Sequence, residues 1–397
     1  MGGEDQALGR HIRSQGGQIA MSKIYTESNL LRIAKRQNNK KRSYLLVNPL
    51  QAKHMPVSPK EALAMMSALG SKLSRKYPDT KLLIAFAETA TAIGATVAKC
   101  LGNDCVYLTT TRENYPNMNW IDFLEEHSHA TEQRLCSNHL AEWISNTESV
   151  ILLDDELSTG KTLRNMIAQL RNDFPELAEK QIVAASILNR LTEENEQLMA
   201  SEGVLTEYLL KLSPTDFSNI LPEETFEAEK VPYDEKISLP RSLLLSSSLP
   251  NPRFGIKIQS YDEQCGMLNR FILNELEAEI AASKRILVLG TEECMFPTLR
   301  LGAEIENSYP DIRVLCHATT RSPIGISHKS GYPITSGNRL TSLYDENRTT
   351  YIYNLAQYDM VLVLTDAAPP CRISMYQLQS ALMLHDCKNV RFIFYET

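Results

Sequence analysis

Two adjacent carboxylates, Asp154 and Asp155, stand directly after an apolar run, Val150-Ile151-Leu152-Leu153. A small polar stretch follows, Ser158-Thr159-Gly160-Lys161-Thr162. Leu163, Met166, Ile167 and Leu170 then recur at helical spacing. Each part has its own chemistry. Paired carboxylates accept hydrogen bonds from sugar hydroxyls, or hold Mg²⁺ through water. A small-residue turn that opens a helix aims backbone N–H groups and the positive helix end at an anion. A ligand with a phosphate, a diol and a divalent metal answers all of them, and a ribose 5-phosphate is the simplest. Gly160-Lys161-Thr162 looks like the end of a nucleotide-binding P-loop. That motif requires a glycine at position 155, where Asp stands.

The elements that must position these groups follow from the apolar pattern. Val150–Leu153 predicts a buried parallel strand. Tyr44–Val47, Leu82–Phe86, Cys105–Thr109 and Gln181–Leu188 predict further strands. The Leu82–Phe86 strand runs into Ala87-Glu88-Thr89-Ala90-Thr91 and then a helix, a second turn able to accept an anion. Arg112 follows the third of these strands, and a guanidinium can grip phosphate in a bidentate way. The segment from there to about Leu135 has no regular pattern and carries Trp120, Glu125, Glu126, His127 and His129. Such a length inside a domain predicts a lid. The basic run Arg32 to Arg42 reads as a solvated helix end.

At 397 residues the chain is long enough for two domains. A net charge of −7 removes the basic field that nucleic acid would require. No apolar run reaches the roughly 18 residues of a membrane span. The eight cysteines show no CxxC or metal-ligand spacing, which suits reduced thiols in a cytoplasm. Residues 1–22 are polar and Gly- and Gln-rich, and read as a disordered tail. A first domain is expected over 23–215, a proline-interrupted linker over 216–255, and a second α/β domain over 256–397. In that second domain Ile286–Gly290, Arg313–Cys316, Met360–Leu364 and Arg391–Tyr395 predict strands. Thr319-Thr320-Arg321 mirrors Thr110-Thr111-Arg112, and Asp366 mirrors Asp155 at nearly the same distance along the chain. The second half therefore reads as a diverged copy of the first scaffold. Ala367-Ala368-Pro369-Pro370-Cys371 replaces the phosphate-type turn there, and its prolines lack N–H donors. Glu292, Glu293, Thr320, Arg321, Ser322 and Asp366 form its polar cluster.

The Asp154–Thr162 stretch resembles the phosphoribosyl-diphosphate (PRPP) signature of type I phosphoribosyltransferases, apart from Glu156. NPLQAKHMPVSP, FAETATAIG, TTREN, LEEHSHATEQRL and LLDDELSTGKT, in that order, resemble the bacterial phosphoribosyltransferases of tellurite-resistance and stress gene clusters. LGTEECMFPTLRL, TTRSP, YIYNL and VLVLTDA resemble the TRSP domain that follows them. The resemblance implies a Rossmann-like parallel sheet and Mg-dependent phosphoribosyl transfer from PRPP to a nucleobase-like acceptor. It gives Asp154 and Asp155 the ribose hydroxyls, and Mg²⁺ indirectly. Ser158, Thr159, Gly160, Lys161 and Thr162 take the 5-phosphate. Ala87, Glu88, Thr89, Ala90 and Thr91 take the pyrophosphate, with Arg112 offsetting its charge. Two other readings stay open: a PRPP or nucleotide sensor without turnover, and a phosphorylase or hydrolase acting on a ribosyl phosphate. The acceptor and the oligomeric state are open too, a homodimer among the options.

Overall fold

The computed structural model describes residues 23–37, 42–123, 133–239, 241–244 and 248–395. The 1–22 tail and the lid residues Glu125, Glu126, His127 and His129 lie outside them.

Arg32–Lys35 (β1) pairs antiparallel with Tyr44–Val47 (β2). This corrects the solvated helix end expected for the basic run. Arg32 and Lys35 flank the buried Ala34, and pairing with an apolar strand outweighs the local charge density. The strands that follow are Thr80–Ala85 (β3), Val106–Thr109 (β4), Trp120–Phe123 (β5), Gln133–Cys136 (β6), Ser149–Leu157 (β7), Gln181–Asn189 (β8) and Val204–Lys211 (β9). β4-β3-β7-β8-β9 form a parallel sheet in that order. Leu82, Leu83, Ile151, Leu153, Ile182 and Val183 are completely buried, so both faces of the sheet are covered and its strands read as unbroken apolar runs. β7 continues past the apolar run and pairs Asp154 with Ser186 and Glu156 with Leu188 of β8. The carboxylates thus sit on the strand's C-terminal end rather than in a loop. β5 and β6 are antiparallel arms, so the stretch after Arg112 is not patternless throughout.

The second half contains Glu229–Lys230 (β10), Ser242–Leu244 (β11), Ile256–Lys257 (β12), Arg285–Gly290 (β13), Arg313–Ala318 (β14), Gly337–Thr341 (β15), Thr349–Tyr353 (β16), Met360–Thr365 (β17) and Val390–Phe394 (β18). β11-β18-β17-β13-β14 form a second parallel sheet. The 216–255 segment is laid into the second half, supplying β11 to this sheet and β10 to a small sheet with β15 and β16.

The repetition seen in sequence has a topological counterpart. The order β4-β3-β7-β8 recurs as β14-β13-β17-β18. Each sheet inserts an antiparallel pair, β5–β6 between β4 and β7 in the first and β15–β16 between β14 and β17 in the second. Thr111 bridges to Arg134 of one pair, and Thr320 bridges to Tyr351 of the other. The Thr110 N–H donates to the Ala85 carbonyl, and the Thr319 N–H donates to the Gly290 carbonyl, both at 3.0 Å.

The halves also exchange edges. Val57, just before the helix Pro59–Lys76, bridges antiparallel to Cys316 of β14. β12, just before the helix Ile258–Glu275, pairs Ile256 antiparallel with Tyr107 of β4. Cys316 and Tyr107 are equivalent, each four residues before the matched Thr320 or Thr111. One hydrophobic cluster consequently runs through both halves, from Leu69, Leu73 and Val97 to Leu268, Leu299 and Val314. A shared core and exchanged edges couple the two halves into one cooperative unit. The chain should unfold in a single calorimetric transition that coincides with the loss of far-ultraviolet circular dichroism. Two separate transitions would contradict the shared core.

Candidate active site

Pairing with β3 and β8 fixes the end of β7. There Asp155 takes a 2.7 Å hydrogen bond from the Thr89 hydroxyl, and its own N–H donates to the Asp154 carboxylate at 2.8 Å. Burial, and after it the charge of Asp155, push the Asp154 carboxyl well above the usual carboxylate range. The chain then turns through Gly160, whose φ of 70° is left-handed, and enters the helix Lys161–Asp173. A Cβ on Gly160 would lie 2.9 Å from the Met199 sulfur, so space and conformation both call for glycine. No side chain caps this helix by bonding from the Gly160 position, although the Thr159 hydroxyl accepts from the Lys161 N–H at 3.3 Å. Lys161, Thr162 and Asn165 of its first turns line a cleft.

These groups line an open cleft of about 580 Å³, together with Ser158, Thr159, Lys161, Thr162, Thr89, Arg112 and Glu156. Of the turn Ala87–Thr91 only Thr89 reaches the cleft. The rest of the turn is fastened elsewhere. The Ala87 N–H donates to the Thr110 hydroxyl, and its carbonyl accepts from Gln133 of β6. The Thr91 hydroxyl donates to the Glu293 carbonyl, and Ala90 is buried. The Arg112 Nε is buried and has no hydrogen-bond partner among the described residues.

Glu88 turns its side chain into the boundary between the halves. Its carboxylate meets Lys53 Nζ at 2.8 Å and the Thr320 hydroxyl at 2.7 Å. Burial opposes its ionisation, but Lys53 and Arg321 outweigh burial and hold the carboxyl down at about 2. Glu293 repeats this arrangement in the other direction. It accepts from the Thr111 hydroxyl at 3.0 Å and from Arg253 at 2.7 Å. Arg321 also pairs with Glu292 and Glu113, and Arg253 with Asp366 at 2.6 Å. The sequence-predicted polar cluster is thus brought together, but as a buried network of mutually satisfied charges. Ser322 alone of that cluster lines the cleft.

Several cleft residues escaped the sequence reading. Arg36 and Arg42 belong to the basic run taken as solvated, and they line the cleft with Leu45, Leu46, His54 and Asn165. Glu156, the departure from the PRPP signature, pairs with Arg42 at 3.0 Å and stands 3.8 Å from Arg190. Both guanidinium groups lie over the Tyr44 ring. Glu156 therefore anchors an arginine–tyrosine stack on the cleft wall. For His54 a signal existed in the loop between β2 and the next helix, which neither a strand nor a helix period explains. Among the described residues no cluster of three or more His, Cys, Asp or Glu could hold a metal ion. The donors that suit Mg²⁺ are Asp154 and Asp155, hard oxygen ligands that leave most of its coordination to phosphate and water. The described cysteines are all free, and no helix of the described residues is long and apolar enough to cross a membrane.

A parallel α/β sheet with an acidic pair at one strand end, facing the N-terminus of the next helix across an open cleft, defines a fold of the phosphoribosyltransferase type. Residues 30–210 match the family model described as "Phosphoribosyl transferase", and residues 251–378 match that described as "TRSP domain C terminus to PRTase_2". The chain belongs to this family of phosphoribosyl transferases with a C-terminal TRSP domain. No curated protein matches it. Among solved structures, the adenine phosphoribosyl transferase of Trypanosoma brucei in complex with AMP, pyrophosphate and ribose-5-phosphate is 14% identical, over 50% of this chain and 79% of that one, with a TM-score of 0.35. The APRTase of Giardia lamblia complexed with 9-deazaadenine is 15% identical, over 46% and 94%, with a TM-score of 0.32. The orotate phosphoribosyltransferase of Aeropyrum pernix is 15% identical, over 47% and 89%, with a TM-score of 0.27.

Two measurements check this electrostatic description. Lys53→Met leaves Glu88 buried without its closest cation and should lower unfolding free energy by about 3–5 kcal/mol in urea titrations. An unchanged midpoint would show that the pair carries no weight. The second concerns His317 on β14. Burial lowers its imidazole to about 4, so it is neutral at pH 7. The unfolded chain takes up that proton near 6.5, so this residue's contribution is intact above 6.5 and is lost as pH falls toward 4. His317→Gln should flatten the stability–pH slope in that window by up to about 3 kcal/mol. Parallel slopes for the two proteins would refute the assignment.

Proposed function

We propose that the chain transfers a phosphoribosyl group from PRPP to a nucleobase-like acceptor, with Mg²⁺ bound alongside the donor. The observation that supports this best is the junction of Asp154–Asp155 with the helix turn at Gly160, in one cleft. Ser158 to Thr162 receive the 5-phosphate through backbone N–H groups and hydroxyls. Asp155, steadied by Thr89, accepts from the ribose hydroxyls and stabilises positive charge as it grows on the ring. Burial and the charge of Asp155 oppose ionisation of Asp154, and a cation bound beside it would favour its charged form. Mg²⁺, when bound, supplies charge neutralisation for the leaving pyrophosphate. The Ala87–Thr91 turn offers Thr89 and its backbone to that pyrophosphate, while the Glu88 side chain holds the turn rigid from behind. Arg112 adds positive charge on the same side. The acceptor enters from the wall of Leu45 and Leu46, with the arginine–tyrosine stack and Ser322 shaping its site. Closure of the β5–β6 region would exclude the water that hydrolyses PRPP.

The test is release of pyrophosphate from labelled PRPP in the presence of nucleobases and Mg²⁺. Asp155→Asn should lower turnover at least about 100-fold, the scale expected when one positioned electrostatic partner is lost. Its melting temperature should stay near that of the parent. Gly160→Val should abolish binding of ribose 5-phosphate, and a chelator should stop turnover reversibly. Full turnover in Asp155→Asn would sink the site assignment. Tight PRPP binding with no turnover across acceptors would favour a sensor.

A further inference from the structure

His54 is 2% exposed, lines the cleft, and neither of its ring nitrogens has a hydrogen-bond partner among the described residues. Two unpaired ring nitrogens in a buried position are costly unless something else meets them. The charges that bear on this ring are Lys53, Asp155, Glu88 and His317. Its chain neighbours Gln51 and Lys53 bond the Thr89 carbonyl and the Glu88 carboxylate, both at 2.8 Å, which sets the segment carrying His54 against the Ala87–Thr91 turn. Burial, then Lys53, lower its imidazole to about 4, so at pH 7 it offers one N–H donor and one lone pair.

The second half supplies an independent argument. Val57 and Ile256 occupy equivalent places, opposite Cys316 and Tyr107 respectively. Three residues earlier stand His54 and Arg253. Leu153 and Leu364 pair with Ala85 and Gly290, which makes Asp155 and Asp366 equivalent two residues on. In the second half Arg253 bonds Asp366 and Glu293 directly, and the cavity beside them holds only about 20 Å³. That is room for about one water. In the first half the shorter, neutral His54 leaves Asp155 open to the cleft. The same register position therefore carries a built-in plug in one half and an unsatisfied hydrogen-bonding group in the other.

We propose that His54 is a ligand-contacting residue that donates a hydrogen bond to the diphosphate end of a ribosyl diphosphate donor held by Asp155. This rests on the phosphoribosyl reading above. A neutral N–H donor suits that place, since Arg112 already brings a positive charge to the cleft lining.

Calorimetric titration with Mg-PRPP and, separately, with ribose 5-phosphate tests it, because only the first carries the diphosphate. His54→Phe keeps size and loses hydrogen bonding, whereas His54→Gln keeps a donor. His54→Phe should weaken Mg-PRPP by at least about tenfold, the scale of a lost hydrogen bond to a charged group. It should leave ribose 5-phosphate affinity within twofold, which also shows that the cleft is still folded. His54→Gln should recover most of the loss. His54→Arg should abolish binding of both ligands by reproducing the plug of the second half. Equal loss of both ligands in His54→Phe, or no loss of either, would overturn the proposal while leaving the donor reading intact. A parent protein that binds neither ligand would overturn both.

Discussion

Four cations and five carboxylates lie buried or nearly buried where the halves meet: Lys53, Arg253, Arg321 and Arg348 with Glu88, Glu113, Glu292, Glu293 and Asp366. Charges taken out of water are tolerable only when each has partners of good geometry. Here the partners come from both halves. Glu88 is satisfied by Thr320 and Arg321, and Glu293 by Thr111. Lys53 and Arg253 add a cation from the same side as Glu88 and Glu293 respectively, so each carboxylate is held from both halves at once. The turn that carries Thr89 into the cleft is therefore braced from behind by the second half. The Thr-Arg-Ser-Pro sequence that characterises the second half acts first as a clamp on the first.

The same logic explains why one cleft is open and the other is closed. The parallel sheets share strand order, inserted antiparallel pairs and exchanged edges. They differ in what stands at the ends of the equivalent strands β7 and β17. After β7 come small residues, a left-handed glycine and a helix turn that lines the open cleft. After β17 come prolines, which supply no N–H groups, and an aspartate already paired with Arg253. The open cleft lies in one half, and the other half spends its acidic and basic groups on cohesion.

The sequence makes the central strands plain, because strands buried on both faces are continuous apolar runs. It also makes the Asp154–Thr162 stretch plain, since its chemistry is contiguous. What it hides is non-local. β1 carries arginine and lysine and is a strand only because β2 lies beside it. β12 is two residues long, with no period to detect. Glu88 sits in a turn whose neighbours suggest a ligand role, while its partners include Thr320 and Arg321, more than two hundred residues away. His54 and Arg253 gain meaning only when the registers of Val57 on β14 and Ile256 on β4 are laid side by side. Glu156 is intelligible only once Arg42, Arg190 and Tyr44 are seen stacked next to it.

The exchanged edges have a consequence for how the molecule behaves in dilute solution. Two separate chains that traded edge segments in this manner would come apart as their concentration fell. Here the trading partners are joined by the 216–255 segment, so each meets the other at an effective concentration set by the tether rather than by expression level. The paired arrangement, and any cleft shape that depends on it, is the same at nanomolar as at micromolar protein. A chain present in only a few copies per cell would keep it.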